Sequence, residues 1–550
     1  MFRSTVRLAS FVIFILTLSA GSFAATKPNI ILITLGSVRA DHVGFLDTKH
    51  PTTNLDELAK HSIIFEHAYA QAPLTVVSDA TILSGTYPQT HGTTELGSPL
   101  SAGIPWLPEL LHSRGYQTGA FVGSTLLDPK SGFAPGFDRG FDTYDATDRT
   151  TQMTHAVAWV TQKHAPFFVW VNIVLPGSSA YSAAVSSLDG AVGKLVNTLR
   201  VQKLFDDAII VVTADHGEGL GAHGEDTHGV FLYDETIRVP LLLKLSGNQL
   251  AGKRIPTQVR TLDVAPTALE GAGIPVPSQM QGQSLLRIAK ATTNTDLPVY
   301  SRSDFPQQAF GWSALESWRT GKYLYVRAPK PELYDLSTDP GATHNLAQTS
   351  KAILQTLASQ LDGFDAHFSR GKNSEAQLTS SEMQKLASLG YVGLQKTPSS
   401  NTAADGIDPK DAIAIANQTL GAMSDLQEGK VDKAIAGFQQ ALIKQPNIYL
   451  AQYGLGRGLA QKQRYAEAVE HLHKAIELQP DSTGANFEIG RALLKAGDLN
   501  TAAVHLEIAA NRLPEFSEVH ALLAEAYGKL GRKDDASRER AKATQGRGKP

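Results

Sequence analysis

The sequence predicts an α/β domain built on a doubly wound sheet, followed by an all-α array of short repeats. Three observations carry that prediction. Between residue 27 and about residue 250, short β-rich apolar runs alternate with helix-like stretches, the pattern of strands covered by helices. Residues 297–347 then offer paired short segments, LPVYSRS, YLYVRAP and ELYDLST, which suit a small antiparallel appendage. Beyond residue 410 a fixed period appears, with Pro446, Pro480 and Pro514 each 34 residues apart.

The chain has 550 residues, enough for two to four domains. Its 50 Lys and Arg nearly balance 53 Asp and Glu, a formal charge of −3, so no basic excess marks a nucleic-acid surface. A hydrophobic fraction of 42% with 19% charged residues belongs to a folded chain. There is no cysteine, which excludes disulfides, thiolate metal sites and a Cys nucleophile. At the N-terminus, Arg3 and Arg7 precede the apolar run 8–20, and Ser22 and Ala24 supply small residues at −3 and −1. That is the layout of a signal peptide over residues 1–24, and about 13 apolar residues are too few to span a bilayer. The mature protein is expected to be exported, periplasmic and without a membrane span.

Five runs read as strands: 29–35 (NIILITL), 118–122 (TGAFV), 167–174 (FFVWVNIV), 208–212 (AIIVV) and 239–245 (VPLLLKL). Each is apolar on both faces, as a parallel strand sandwiched between helices is. Helix-like stretches lie at 55–61, 107–114 and 187–199. Such sheets place their sites at the carboxyl ends of strands, so the residues that follow each run are the ones to inspect. Residues 396–409 (KTPSSNTAADGIDP) read as a linker.

In the C-terminal region Ala434, Ala468 and Ala502 share one phase of the period, and Ala441, Ala475 and Ala509 another. Gly456 and Gly490 fill a tight helix crossing that Ala422 fills in the first unit, and Ala536 keeps phase in a partial fourth. This pattern resembles the tetratricopeptide repeat, about three full units plus a partial fourth over 410–545. The resemblance implies stacked helix pairs with a concave groove that takes a protein or peptide.

The chemistry concentrates in residues 211–240, VVTADHGEGLGAHGEDTHGVFLYDETIRVP. A buried strand empties into Asp215 and His216, with His223 and His228 close behind. Carboxylate and imidazole side by side at a strand end suit a divalent cation such as zinc or manganese. Read alone, the same loop also suits local hydrogen bonds.

This stretch resembles the metal-binding segment of the sulfatase family, within the alkaline-phosphatase-like superfamily. KPNIILITLGSVRADHVGFL resembles the family's opening strand, APLTVVSDATILSGTYPQTHG its nucleophile loop and helix, and PELYDLSTDPGATHNLA its closing segment. Together these span residues 27–395. The resemblance implies that an activated hydroxyl attacks a sulfate or phosphate ester with help from zinc, manganese or calcium. Thr75 falls at the nucleophile position, Asp215 and His216 at metal positions, and His228 or His223 at positions that hold substrate or protonate the leaving oxygen.

The carry-over then meets departures. Gly36 stands where the family supplies a metal-binding Asp, and the next carboxylate is Asp41. Val77 replaces a Pro, and Asp79 replaces an Arg or His. A carboxylate about 5 Å from an anionic ester would repel it by roughly 3 kcal/mol at an effective dielectric near 20. The family's His-x-x-Asp-Pro-His reads NIVLPG, so Leu175 and Gly177 offer no charge. Thr75 also has a structural reading, as the cap of a helix beginning near Ser78, and Asp79 as a helix-dipole partner.

Three functions follow as expectations. The first is a pseudoenzyme scaffold with a degraded site. The second is an active hydrolase in which Thr75 attacks and Asp41 or Asp79 replaces the missing ligand. In the third, the repeats carry the function and the α/β domain is a spacer.

Overall fold

The structure is a computed structural model that describes residues 27–94, 98–131, 133–146, 151–162, 166–176, 180–293, 295–368, 406–514 and 516–545. The expected signal peptide, Gly177 and most of the expected linker lie outside the described residues. No described helix is long and apolar enough to cross a membrane.

Twelve strands are described: β1 (Ile30–Leu35), β2 (Ile63–Tyr69), β3 (Gln117–Val122), β4 (Thr143–Asp145), β5 (Phe167–Ile173), β6 (Ile209–Ala214), β7 (Arg238–Lys244), β8 (Arg254–Arg260), β9 (Val299–Ser303), β10 (Leu315–Arg319), β11 (Tyr323–Arg327) and β12 (Glu332–Asp335). The first eight form one sheet in the order β4-β3-β5-β1-β6-β7-β2-β8, and β12-β11-β10-β9 form a second, antiparallel one. The main sheet is mixed. β7 runs antiparallel to both β6 and β2, so the expectation that all five runs are parallel strands fails at residues 239–245. Burial on both faces produced that expectation, and burial does not encode direction.

β5, β1 and β6 are adjacent at the centre, with Leu35 level with Ile173 on one side and Ala214 on the other. All six residues of β1 are buried. Gly36, Val174 and Asp215 therefore leave the sheet side by side.

The C-terminal region forms four helix pairs among the described residues: Pro409–Gln427 with Val431–Lys444, Tyr449–Gln461 with Tyr465–Leu478, Thr483–Ala496 with Leu499–Arg512, and Ser517–Lys529 with Lys533–Gln545. The alanines in both phases are fully buried. A Cβ on Gly456 or Gly490 would come within 2.5 or 2.8 Å of Leu472 or Leu506, so these crossings admit only glycine without movement. Polar groups keep the period too. Gln452, Asn486 and His520 bond the carbonyls of Pro446, Pro480 and Pro514. Each also meets a partner 19 residues on: His471, His505 and Glu539.

The repeats are seated on the α/β domain. Ser313 N–H donates to the Ile407 carbonyl, Lys330 N–H to Asp408, and Lys410 to Glu332. Trp312 Nε1 donates to Gln445 Oε1 at 2.8 Å, while Gln445 Nε2 and Gln479 Nε2 bond the carbonyls of Phe310 and Gln308. One continuous apolar cluster runs from Tyr69 and Val230 through Phe310 and Trp312 into the repeat helices.

Candidate functional site

Glycine at position 36 lets neighbouring backbone close in. Its N–H donates to the Ile173 carbonyl at 2.8 Å, and a Cβ there would lie 3.3 Å from Val174 Cγ1. Ser37 follows with φ of 58°, and its N–H donates to Asp215 Oδ1 at 2.8 Å. The Ser37 carbonyl accepts from the Tyr181 hydroxyl at 2.8 Å, fixing the turn.

Asp215 is fully buried. Its Oδ1 also accepts the His216 N–H at 2.7 Å, while its Oδ2 has no hydrogen-bond partner. His216 Nδ1 faces the Gly217 carbonyl at 2.8 Å, so that nitrogen holds the proton. Nε2 then keeps its lone pair and accepts from Thr75 Oγ1 at 3.2 Å. Burial lowers the His216 pKa and keeps the ring neutral.

The helix Thr75–Ser84 begins at Thr75, with Leu74 as its cap residue and no capping side chain. The expected capping role of Thr75 is therefore wrong, since its hydroxyl is spent on His216. Asp79 departs from expectation as well. It lies beyond the first turn and is fully buried, so it is no dipole partner in solvent. Asn172 Nδ2 reaches its Oδ2 at 3.5 Å, and its Oδ1 has no partner. Burial first, and the charge of Asp215 second, hold its pKa well above the usual carboxylate range. Protonation of Asp79 is thus favoured over that of an exposed carboxylate.

The histidines separate. The His228 ring lies 4.2 Å from that of His216, and its Nδ1 is 3.2 Å from both Glu218 oxygens. Burial acts to lower its pKa, but Glu218 outweighs burial and raises it to about 9. His223 instead stacks on Tyr233 at 3.8 Å with Nε2 3.8 Å from Glu235. It lines a separate cleft with Lys410 of the first repeat helix, away from Thr75. Asp41 is also committed elsewhere. Burial would raise its pKa, but Arg39, with both oxygens in hand at 2.8 and 2.7 Å, and then His42 hold it below the usual range.

A cation of the family type needs a donor from the end of β1 beside Asp215 and His216. Gly36 has none, and Val174 Cγ1 crowds the place where its Cβ would sit. Among the described residues no three His, Cys, Asp or Glu side chains converge on a metal-sized point. One oxygen of Asp79 and one of Asp215 are buried without a hydrogen-bond partner. The donor set present does not fit the family's divalent centre.

Sequence reasoning missed Glu218, Asn172 and Tyr181. Glu218 was visible within the DHGE run as an acid near His228. Asn172 was visible only through the strand register that places it level with Thr34.

Residues 28–171 and 151–274 match the Sulfatase family model, and residues 226–366 match the model for N-sulphoglucosamine sulphohydrolase, C-terminal. Residues 419–483 and 459–525 match tetratricopeptide repeat models. An ulvan-active sulfatase of Formosa agariphila is 26% identical over 414 residues, 61% of this chain and 80% of that one. Arylsulfatase K of Rattus norvegicus is 30% identical over 195 residues, which span only 34% of its length and 33% of this chain. Among solved structures, a phosphonate monoester hydrolase of Agrobacterium radiobacter superposes with a TM-score of 0.55 at 18% identity, over 62% of this chain and 96% of its own. At that identity the likeness speaks for the fold.

Proposed function

We propose, for a chain whose N-terminal region is a sulfatase-family domain and whose C-terminal region is a tetratricopeptide array, a scaffold that binds rather than hydrolyses. It is exported to the periplasm, and its array captures a protein or peptide. The observation that carries this reading is the missing donor at position 36, beside the unpartnered Asp215 Oδ2. Gly36 offers no donor atom and a Cβ there would crowd Val174 Cγ1 at 3.3 Å, while a buried acid, Asp79, stands where the family places a cation. Among the described residues, the positive groups at this loop are already engaged, His228 with Glu218 and Arg39 with Asp41.

One contact favours a second reading, an active sulfuric or phosphoric ester hydrolase that uses zinc, manganese or calcium. Thr75 Oγ1 stands 3.2 Å from His216 Nε2, the geometry of a hydroxyl oriented by a base. In that reading Thr75 would attack, Asp215 and His216 are the residues that would hold a cation, whose chemistry would be to lower the hydroxyl's pKa, and His228 would protonate the leaving oxygen. Sulfated saccharides, suggested by the ulvan-active relative, make the first substrate panel.

Elemental analysis of protein purified without chelators separates the two. The scaffold reading expects less than a tenth of an equivalent of zinc, manganese or calcium per chain. Near-stoichiometric metal that disappears in Asp215→Ala would overturn it in favour of the hydrolase.

A further inference from the structure

The first repeat helix grips the loop that carries His228. Asn417 Nδ2 donates to the Gly224 carbonyl at 2.7 Å, and Asn417 Oδ1 accepts from the Asp226 N–H at 3.1 Å. Ile413, one turn earlier on that helix, lies beneath the same bend, its Cγ2 3.4 Å from the point where a Cβ on Gly224 would sit. Two polar bonds and one apolar contact thus fall on two loop residues, Gly224 and Asp226.

The bend is strained. Leu220 and His223 hold φ of 52° and 51°, each followed by a glycine with positive φ, Gly221 at 86° and Gly224 at 83°. Left-handed backbone is unfavourable for a non-glycine residue, so two such residues persist only where surroundings enforce them. Enforcement from within the loop is incomplete. Gly219 N–H bonds the Thr227 carbonyl and Gly221 N–H the Glu225 carbonyl. Glu225 accepts the N–H groups of Val230 and Phe231. None of these reaches the Gly224 carbonyl or the Asp226 N–H, and both go to Asn417.

The consequence lies at the other end of the loop. Glu218 and His228 face each other across it, and His228 rests on His216. The bend sets the distance between the two arms that carry them.

We propose that Asn417 is a positioning residue of the sulfatase-like site. The repeat array locks the 218–228 loop through this side chain, so the seating of the first repeat helix fixes where His228 stands relative to His216. The array is then a wall of the site. A partner that shifts this helix changes the imidazole pair, and by linkage a ligand that shifts the imidazoles changes affinity for that partner. This coupling holds whether or not the site hydrolyses anything.

The test uses the full chain and two readouts: amide hydrogen exchange over residues 217–231, and the imidazole C–H resonances of His216 and His228. Asn417→Ala is expected to speed exchange around Asp226 at least tenfold and to shift both imidazole signals. Asn417→Asp keeps the acceptor for the Asp226 N–H and loses the donor to Gly224, so it should fall between wild type and alanine. Gln445→Ala loosens the array at the far side of the junction and should leave both readouts unchanged. The proposal is overturned if both Asn417 variants leave the loop and the imidazoles as in wild type. It is equally overturned if Gln445→Ala reproduces the alanine effect, because any loosening of the junction would then suffice. Should the alanine variant not fold, Asn417→Asp against Gln445→Ala decides by the same criteria.

Discussion

Val174 Cγ1 stands 3.3 Å from the point where a side chain on Gly36 would begin. Restoring a carboxylate there therefore requires Val174 to move, and it adds a third acid beside Asp79 and Asp215. Gly36→Asp is expected to lower the melting temperature in metal-free buffer. Zinc, manganese or calcium should then recover it, since a cation that binds only the folded state stabilises it by mass action. Scanning fluorimetry with and without each cation checks this. No recovery would mean that the site lacks more than one donor.

Asp79 gives a pH signature. Its folded pKa is raised, so the folded state holds a proton that the unfolded chain releases above about pH 4. Its contribution is fully present below that pH and is lost as pH rises toward the folded value. Asp79→Asn imitates the neutral acid at every pH. Urea titrations should show the variant gaining on wild type as pH rises from 4 to 8. A constant difference would mean that Asp79 is ionised in the folded protein.

The contrast between Asp79 and Thr75 shows what sequence can and cannot give. Both were recognisable as site positions, because the motif around them is local. Their states were not, because those depend on partners 93 and 141 residues away, Asn172 and His216. The strands were legible from apolar runs and the repeats from a period of 34. β2, β4 and β8 were not read. β4 is only three residues long, and β8 alternates exposed and buried positions at its start. Nor did the segment 396–409 announce that its last residues, Ile407 and Asp408, bond the α/β domain. A linker composition says nothing about where a chain lands.

Glu218 governs the charge of His228. Its removal in Glu218→Gln leaves burial opposed only by the weaker influence of Asp215 and Glu225, so the His228 pKa should fall from about 9 toward the ordinary imidazole value. For this raised group the stabilisation is complete below about pH 6.5 and disappears as pH rises through 9. The variant should therefore lose stability at pH 6 and almost none at pH 9.5. The His228 side chain keeps 31% exposure, and solvent screening reduces the loss to about 1–2 kcal/mol. A proton-resonance titration of the imidazole measures the pKa directly, and an unchanged value would remove Glu218 from the account.

Gln445 joins the two halves of the chain. Its amide satisfies the indole N–H of Trp312, a fully buried residue, and also bonds the Phe310 carbonyl. Gln445→Ala strands that buried donor, which costs about 1–3 kcal/mol. Because one apolar cluster spans the junction, wild-type protein should unfold in a single calorimetric transition. A cooperative unit survives only while its interface outweighs the independent stability of its parts. Gln445→Ala combined with Gln479→Ala should therefore split the transition in two. Two transitions already present in wild type would show that the array folds as a separate module, and the spacer view of the α/β domain would regain ground.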